Sequence, residues 1–477
     1  MSAALRSAER PVKTPVWPWQ WGIAALLAVG LRVGLWWEYG ILQWPDSADY
    51  ILYAERLLQT PGLAALLSDR FDLYNFRTIG YPAYLAAAMA IGEEGWLGVV
   101  VAGQILLSLG MLWWLYRLGT ALGLGRGAAA VAAGIFACSH GAIYDGSVLT
   151  DAVFNHLFIM ATCAMLVPVL EEGGIGIGRA ALCGFGMAFA ILVRDATLYM
   201  VPVIVLSLIV VMRERAMSAS RIIRSIAVFL LPVVVVWQGY TAWNAARFDR
   251  PFVTTVGQSV YLLHPIEIEL RGRAVLHEPR LREAYNAVKS SYTYGVAVEM
   301  NRYLAERYGM NAGQRAELSQ DAYWAAWRNA PGAMFMEVVR ELRLKFIVQV
   351  ADLSMAFRDY PVMGGIEERV PDYARGIVFV IAEALLRAFS ALIVVACILG
   401  VPLLASVPAW RQAIGGRPAG LLFCWLVFGG MAGMYAMVHM EFRYTLPAQA
   451  LVIVSGIAVL RHALLLWRRP KAVTLRI

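Results

Sequence analysis

Long apolar segments constrain the fold of this chain more than any other feature. Of its 477 residues, 60% are hydrophobic, and the mean hydropathy is +0.61. A helix needs about 20 apolar residues to cross the hydrocarbon core of a bilayer, and about ten segments meet that need. The sequence therefore predicts an all-α polytopic membrane protein. The predicted spans are 17–37, 96–118, 121–139, 150–170, 177–194, 196–212, 222–243, 374–399, 419–438 and 444–467.

The basic residues are distributed unevenly between the two sides of the predicted bundle. With the N-terminus inside, the inside loops and tails hold 16 Lys and Arg, whereas the short outside loops hold five. Such an excess is typical of cytoplasmic loops. The net charge of +8 is thus explained without a nucleic-acid partner. We expect a cell (inner) membrane protein with both termini in the cytoplasm.

The polar stretches predict three regions. A transmembrane module covers 1–243 and includes a first outside loop, 38–95; an extracytoplasmic helical region covers 244–373. C-terminal spans and a cytoplasmic tail cover 374–477. The apolar segment 80–92 is too short to span comfortably, so we expect a helix lying along the outer interface.

The long extracytoplasmic region shows helical periodicity in 279–308 and 314–329. Pro331 begins a further amphipathic helix, which is predicted to lie on the membrane surface. Its apolar face would hold Phe335, Val338, Val339, Leu342, Phe346 and Ile347, and its charged face Glu337, Arg340, Glu341, Arg343 and Lys345.

Two carboxylates follow the first span at once. Asp46 and Asp49 are three residues apart, so on a helical turn they share a face, with Tyr50 beside them. One interpretation is that Asp46 or Ser47 caps the helix that begins here. The other is that Asp46 removes a proton from a hydroxyl at the outer membrane surface, with Asp49 in a supporting role. The sequence leaves both open.

A third carboxylate, Asp151, opens the span 150–170 on the side predicted for Asp46. An acid in the first turn also interacts favourably with the helix dipole, so a purely structural role stays open. His156, further along this apolar helix, is interpreted as a packing residue without a role.

Cationic side chains occupy other outside positions. Arg77 comes just before 80–92, where its planar fork can bind phosphate oxygens, although it can equally face anionic head groups. The outside turn 439–444 carries polar and aromatic side chains in an unusually short loop. Arg194 and Asp195 form another outside turn and are interpreted as a self-neutralising pair. Glu383 and Arg387, inside a span, are interpreted as a structural helix pair.

Four short motifs in this order resemble those of the GT-C membrane glycosyltransferases, nearest to the protein O-mannosyltransferase and lipid A aminoarabinose transferase group. The resemblance covers about 1–260, weakens over 260–373 and returns at 419–450. The motifs are Asp46-x-x-x-Tyr50, Arg77-x-x-Gly80-Tyr81-Pro82, Leu149-Thr150-Asp151 and Glu441-x-Arg443-Tyr444-x-x-Pro447.

The resemblance implies a GT-C-like bundle with interfacial helices and a sugar donor carried on a polyprenyl phosphate. It implies that Asp46 is the catalytic carboxylate, with Asp151 and Asp49 as further acids of the site. Many members have Asp-Glu where this chain has Asp46-Ser47, so a divalent cation as cofactor is in doubt. The predicted phosphate-binding residues are Arg77, Tyr81, Arg194, Arg443 and Tyr444, and the predicted cavity residues are Tyr50, His439 and Glu441.

We therefore expect an inverting glycosyltransferase acting at the extracytoplasmic face among membrane lipids, with a lipid, glycan or protein hydroxyl as acceptor. A transporter or lipid-linked sugar flippase shares the hydrophobicity, but usually has polar groups near mid-membrane and broken or repeated helices. A non-catalytic scaffold for envelope assembly is the third alternative.

Overall fold

The fold is known from a computed structural model, which describes residues 18–71, 73–139, 141–288, 292–343, 377–407, 418–439 and 442–467. Within these ranges the regular elements are helices, apart from an isolated parallel bridge between Leu42 and Ser147. Eight helical stretches there are long and apolar enough to cross a membrane. The predicted fold class, an all-α polytopic membrane protein, is confirmed.

The first module contains the helices that position most of the predicted site residues. They are α1 (Trp19–Tyr39), α2 (Ser47–Gln59), α3 (Gly62–Ser68), α4 (Leu73–Phe76), α5 (Gly80–Gly92), α6 (Trp96–Ala121), α7 (Arg126–Ala137), α8 (Gly141–Asp145), α9 (Thr150–Glu172), α10 (Ile177–Val193), α11 (Thr197–Glu214) and α12 (Ala219–Phe248).

Shorter helices follow, and then the C-terminal spans. They are α13 (Gly257–Val260), α14 (Leu263–Leu270), α15 (Pro279–Ala287), α16 (Thr293–Tyr308), α17 (Ala312–Asn329), α18 (Pro331–Glu341), α19 (Ile377–Val395), α20 (Val401–Ser406), α21 (Pro418–Val438) and α22 (Leu446–Trp467).

Helix α9 is the centre of the bundle. It packs against α6, α10, α11 and α22, and nearly all of its side chains are buried. Each predicted span has a corresponding helix, although α7 and α10 are short, with 12 and 17 residues. The buried polar side chains of α9, Asp151, Asn155 and His156, fit this central position, because polar groups within a membrane bundle face its interior.

Helix α5 pairs with α6 as an antiparallel hairpin. The Tyr84 hydroxyl donates to the Val100 carbonyl at 2.6 Å, and the Tyr81 hydroxyl donates to Gln104 at 3.3 Å. Gly80, the first residue of α5, lies so close to α10 that a Cβ would meet the Leu192 backbone at 2.6 Å. The start of α5 therefore lies beside the end of α10, and the interfacial position of 80–92 stays a prediction.

Helix α18 turns its glutamates inward, which corrects the predicted charged outer face. Glu337 and Glu341 are 2% and 8% exposed, whereas Phe335 and Met336 are more than half exposed. The physical reason is that Arg271, the residue after α14, forms an ion pair with Glu337 from the inner side of α18. The apolar outer face formed by Phe335 and Met336 still suits a membrane surface.

Two predictions fall outside the described residues. The side chain of Glu383 lies there, so its predicted pairing with Arg387 stays a prediction. Glu441 also lies there, and its place in a cavity stays a prediction.

Gly184 allows α10 and α12 to touch, and this contact can be tested. A Cβ at Gly184 would lie 2.3 Å from the Phe229 carbonyl oxygen, whereas a Cβ at Gly178 of the same helix meets nothing within 4 Å. We expect Gly184→Ala to lower the stability of the bundle by about 1–3 kcal/mol through forced separation of the helices. Thermal unfolding in detergent measures this, with Gly178→Ala as control; equal melting temperatures for the two variants would contradict the close contact.

Candidate active site

The loop that carries Asp46 is fixed to the segment just before α9. The Leu42 amide donates to Gly146 at 3.0 Å, and the Val148 amide donates to Leu42 at 2.9 Å. Ser47, 1% exposed, donates its hydroxyl hydrogen to the Val148 carbonyl at 2.7 Å. These bonds bring the start of α2 beside the start of α9, which is how Asp46 and Asp151 come close together.

Five side chains form a row of alternating charge, which we call the ion-pair row. Arg77 Nη2 donates to Asp46 Oδ1 at 2.9 Å, and Arg443 Nη2 donates to Asp46 Oδ2 at 2.9 Å. Arg443 Nη1 lies 3.7 Å from Asp151 Oδ2, and Arg194 Nη1 donates to Asp151 Oδ1 at 2.8 Å. The order is Arg77, Asp46, Arg443, Asp151, Arg194. Both predicted carboxylates thus share one arginine at one end of the bundle.

The two carboxylates differ in access. The Asp46 side chain is 26% exposed, whereas that of Asp151 is fully buried. Asp46 therefore faces the opening of the site, and Asp151 lies behind it as the counter-ion of two arginines. Asp49 lies at the edge, 40% exposed, and accepts from Arg77 Nη2 at 3.2 Å.

Asp46 does not cap α2. It occupies the N-cap position, but its side chain makes no capping hydrogen bond, because both carboxylate oxygens accept from arginines. Burial raises the pKa of Asp46, but the charges of Arg77 and Arg443 and the hydrogen bonds they donate outweigh burial and hold that pKa below its usual range. Asp46 is consequently a carboxylate in the resting site.

Aromatic rings wall the row on both sides. The Arg77 guanidinium lies 5.0 Å from the centroid of the Tyr50 ring, and its Nη1 donates to the Tyr50 hydroxyl at 3.3 Å. Arg194 lies 4.1 Å from the centroid of the Tyr444 ring. Such cation–π contacts orient guanidinium groups without neutralising them.

One sequence-based interpretation needs correction, and another stays a prediction. Tyr81 is fully buried, donates to Gln104 at 3.3 Å and packs edge-on against Tyr50; its contact with a donor phosphate stays a prediction. Arg194 does not pair with Asp195. Arg194 forms its ion pair with the buried Asp151, and Asp195 accepts a hydrogen bond from the Thr254 hydroxyl instead.

A second charged cluster, missed by the sequence analysis, lies behind the ion-pair row. Arg32 Nε donates to Asp145 Oδ2 at 2.5 Å, and His156 Nε2 lies 2.6 Å from Asp145 Oδ1; all three side chains are at most 2% exposed. His156, predicted to have no role, is therefore a hydrogen-bond partner of Asp145. The missed signal was Arg32, a charged residue within a predicted span, where charges usually have a role. Gln104 completes the cluster by donating to the backbone of Asp145 and Ser147.

The remaining predicted residue, His439, lies apart from Asp46. Its ring centroid is 6.3 Å from that of Tyr444, and it lines a separate cavity below α18. It is thus a neighbour of the row through Tyr444 and not a member of it.

The residues around Asp46 do not fit a divalent cation. Ser47, the residue after Asp46, is buried and its hydroxyl is bonded to Val148. Both Asp46 oxygens accept from guanidinium groups. No group of three or more His, Cys, Asp or Glu with metal-binding geometry occurs in the described part of the chain. Arg77 and Arg443 occupy the Asp46 oxygens and supply positive charge where a metal ion would otherwise lie.

The second cluster predicts a stability effect. Asp145→Asn leaves Arg32 buried without a counter-ion, so we expect a loss of about 3–5 kcal/mol. The double variant Arg32→Met with Asp145→Leu removes both charges and is expected to lose much less. Thermal unfolding in detergent distinguishes them; a double variant as unstable as Asp145→Asn would show that the ion pair is not the cause.

Comparison with known proteins gives a likeness in fold. No family model matches this chain, and no curated protein matches it in sequence. It is similar to the apo oligosaccharyltransferase of Archaeoglobus fulgidus, at 13% identity and TM-score 0.42 over 94% of this chain and 51% of that one. It is also similar to ArnT from Cupriavidus metallidurans bound to undecaprenyl phosphate, at 14% identity and TM-score 0.34 over 91% and 77% of the two chains. The chain spans about half the length of the oligosaccharyltransferase.

Proposed function

We propose that this chain is a glycosyltransferase that moves a sugar from a polyprenyl-phosphate donor to a hydroxyl acceptor, with inversion, at the extracytoplasmic face. The observation that carries the proposal is the ion-pair row, which joins an accessible carboxylate to two arginines. A base and a phosphate-binding group side by side are what the reaction requires. The side chains of Arg77 and Arg443 are only 15% and 16% exposed. Because little water screens them, their electrostatic attraction for an anion is stronger than at an open surface.

The donor phosphate is proposed to bind Arg77 and Arg443. Guanidinium groups bind phosphate oxygens through paired hydrogen bonds.

The transfer itself is a single displacement. The acceptor oxygen forms a bond to the anomeric carbon while the bond from that carbon to the phosphate oxygen breaks. The electron pair leaves with the polyprenyl phosphate, whose growing negative charge the arginines stabilise. Asp46 takes the hydroxyl proton of the acceptor, a role that typically contributes about 10²–10⁴-fold.

Donor binding also prepares Asp46 for this role. In the resting site both of its oxygens are engaged and its pKa is low, which makes it a weak base. A phosphate that binds Arg77 or Arg443 competes with Asp46 for the guanidinium N–H groups. Burial, which raises the pKa of Asp46, then outweighs the weakened pairing, so the carboxylate becomes more basic when the donor is present.

The other residues of the row have positioning roles in this proposal. Asp151, fully buried, fixes Arg443 and Arg194 and does not touch substrate. Arg194 and Tyr444 stack at 4.1 Å and hold the turn that carries Arg443. Asp49 orients Arg77 from the solvent side.

The assignment of base and phosphate ligand is tested with a labelled lipid-linked sugar and purified full-length protein. We expect Asp46→Asn to lower kcat by about 10²-fold or more, and Arg77→Ala to raise the KM for the donor strongly. The matched controls are Asp249→Asn and Arg70→Ala, an exposed pair 3.9 Å apart at the surface. Turnover by Asp46→Asn at the control rate would remove Asp46 as base, and an Arg77→Ala defect confined to the acceptor would rule out its phosphate contact.

The proposed exchange of arginine partners predicts a pH effect. The pH profile of kcat/KM reports the free enzyme and that of kcat the donor complex. Because the pKa of Asp46 is lowered in the free site, activity carried by its carboxylate is present above that low pKa and lost below it. We expect the acidic limb of kcat to lie at higher pH than that of kcat/KM, and Arg443→Gln to bring the limbs together. Coincident limbs in the unaltered protein would contradict the exchange.

A further inference from the structure

A polar cavity of about 210 Å³ lies outside the ion-pair row, among the helices that follow α12. It lies between α14 and α18. Thr293, the first residue of α16, and His439, the residue after α21, complete its lining. The proposed transfer uses none of its side chains. They are Leu263, His264, Glu267, Arg271, Thr293, Glu337, Arg340, Glu341 and His439.

The cavity lining alternates hydrogen-bond donors and acceptors. Arg271 donates to Glu267 at 2.6 Å and also to Glu337, while Arg340 donates to Glu337 from the other side. The Thr293 hydroxyl donates to Glu267. A sugar hydroxyl both donates and accepts, so it can bond to a carboxylate and a guanidinium in such a lining at the same time.

The charge balance of the cavity disfavours an anion. Three carboxylates surround two guanidinium groups, which gives these five side chains a net charge of −1, and Glu337 engages both arginines. A phosphate in this cavity would be repelled, because each arginine is already paired with a carboxylate. The lining therefore suits an uncharged, hydroxyl-rich group, and the volume suits one pyranose ring with its hydroxyls.

The cavity adjoins the ion-pair row through one side chain. His439 lines the cavity, and its ring lies 6.3 Å from the Tyr444 ring. Tyr444 in turn stacks on Arg194 and follows Arg443 in the chain. The Tyr323 hydroxyl of α17 donates to the Met437 carbonyl of α21, which fixes α17 to the helix that His439 directly follows.

We propose that this cavity binds a non-reacting glycosyl unit of the acceptor, so that the acceptor is a glycan and not a simple lipid alcohol or a peptide side chain. This inference rests on the proposed glycosyl transfer. The reacting hydroxyl lies at Asp46, and the neighbouring sugar of the same acceptor lies beyond His439. A bond to the protein away from the reacting centre holds the nucleophile in place for attack.

The test is a binding measurement on the full chain in detergent, because binding does not require turnover. The probes are methyl α-glucopyranoside, methyl α-mannopyranoside and methyl β-N-acetylglucosaminide, detected by saturation-transfer NMR. We expect at least one to bind to the unaltered chain, to Asp46→Asn and to Thr293→Ser. Thr293→Phe places a ring in the cavity and is expected to lose the signal. Arg340→Trp, at a half-exposed position, is a second filling variant if Thr293→Phe does not fold.

Three results would overturn the assignment: no glycoside binding to the unaltered chain, equal binding to both filling variants, or displacement of the glycoside by inorganic phosphate. The donor-cleavage assay with Arg77→Ala reports separately on the proposed transfer. Loss of donor cleavage in Arg77→Ala, together with unchanged glycoside binding to Thr293→Phe, leaves the transferase proposal standing and removes this one. Glycoside binding without any donor cleavage by the unaltered chain removes the transfer and, with it, the acceptor role of the cavity.

Discussion

The arginine shared by two carboxylates is the contact on which the rest of the site depends. Arg443 reaches Asp46 across 397 positions of sequence and lies 3.7 Å from Asp151. Two carboxylates that close together, one of them fully buried, repel each other strongly where water is scarce. The arginine between them lets both stay ionised. It also joins the last helices of the chain to the first ones, so the site exists only when the whole bundle has formed.

Behind this contact, the loop that carries Asp46 is held by the buried polar cluster around Asp145 as well as by apolar packing. Asp145 uses both carboxylate oxygens on Arg32 and His156, and Gln104 holds its backbone. The strand-like pairing of Leu42 with Ser147 transmits that position to the loop of Asp46. A buried ion pair is weak evidence for stability but defines a unique arrangement well. Here it fixes where the accessible carboxylate stands relative to the arginines.

Much of the architecture was predictable because membrane insertion imposes a simple rule on composition. Segment length and the distribution of basic residues were enough for the spans, and for placing Asp46, Asp151 and Arg443 at one end of the bundle. The ion pairs of the site were not predictable from the sequence. Partners such as Arg32 and Asp145 lie 113 positions apart, and local periodicity contains no information about contacts between distant segments. The prediction that the glutamates of α18 face outward was wrong for the same reason. A charged residue marks a solvent face only when no partner from another helix reaches it, and Arg271 does.

The two charged clusters favour the proposed transferase over a transporter. A transport path needs polar groups near mid-membrane that a substrate can reach. The buried cluster around Asp145 is closed, since both Asp145 carboxylate oxygens are bonded to protein and the side chains of the cluster are at most 2% exposed. The accessible carboxylates, Asp46 and Asp49, lie at the end of the bundle, 26% and 40% exposed. In the part of the chain that the structure describes, an accessible carboxylate with a closed charged cluster behind it suits the proposed transfer better than passage of a substrate through the bundle.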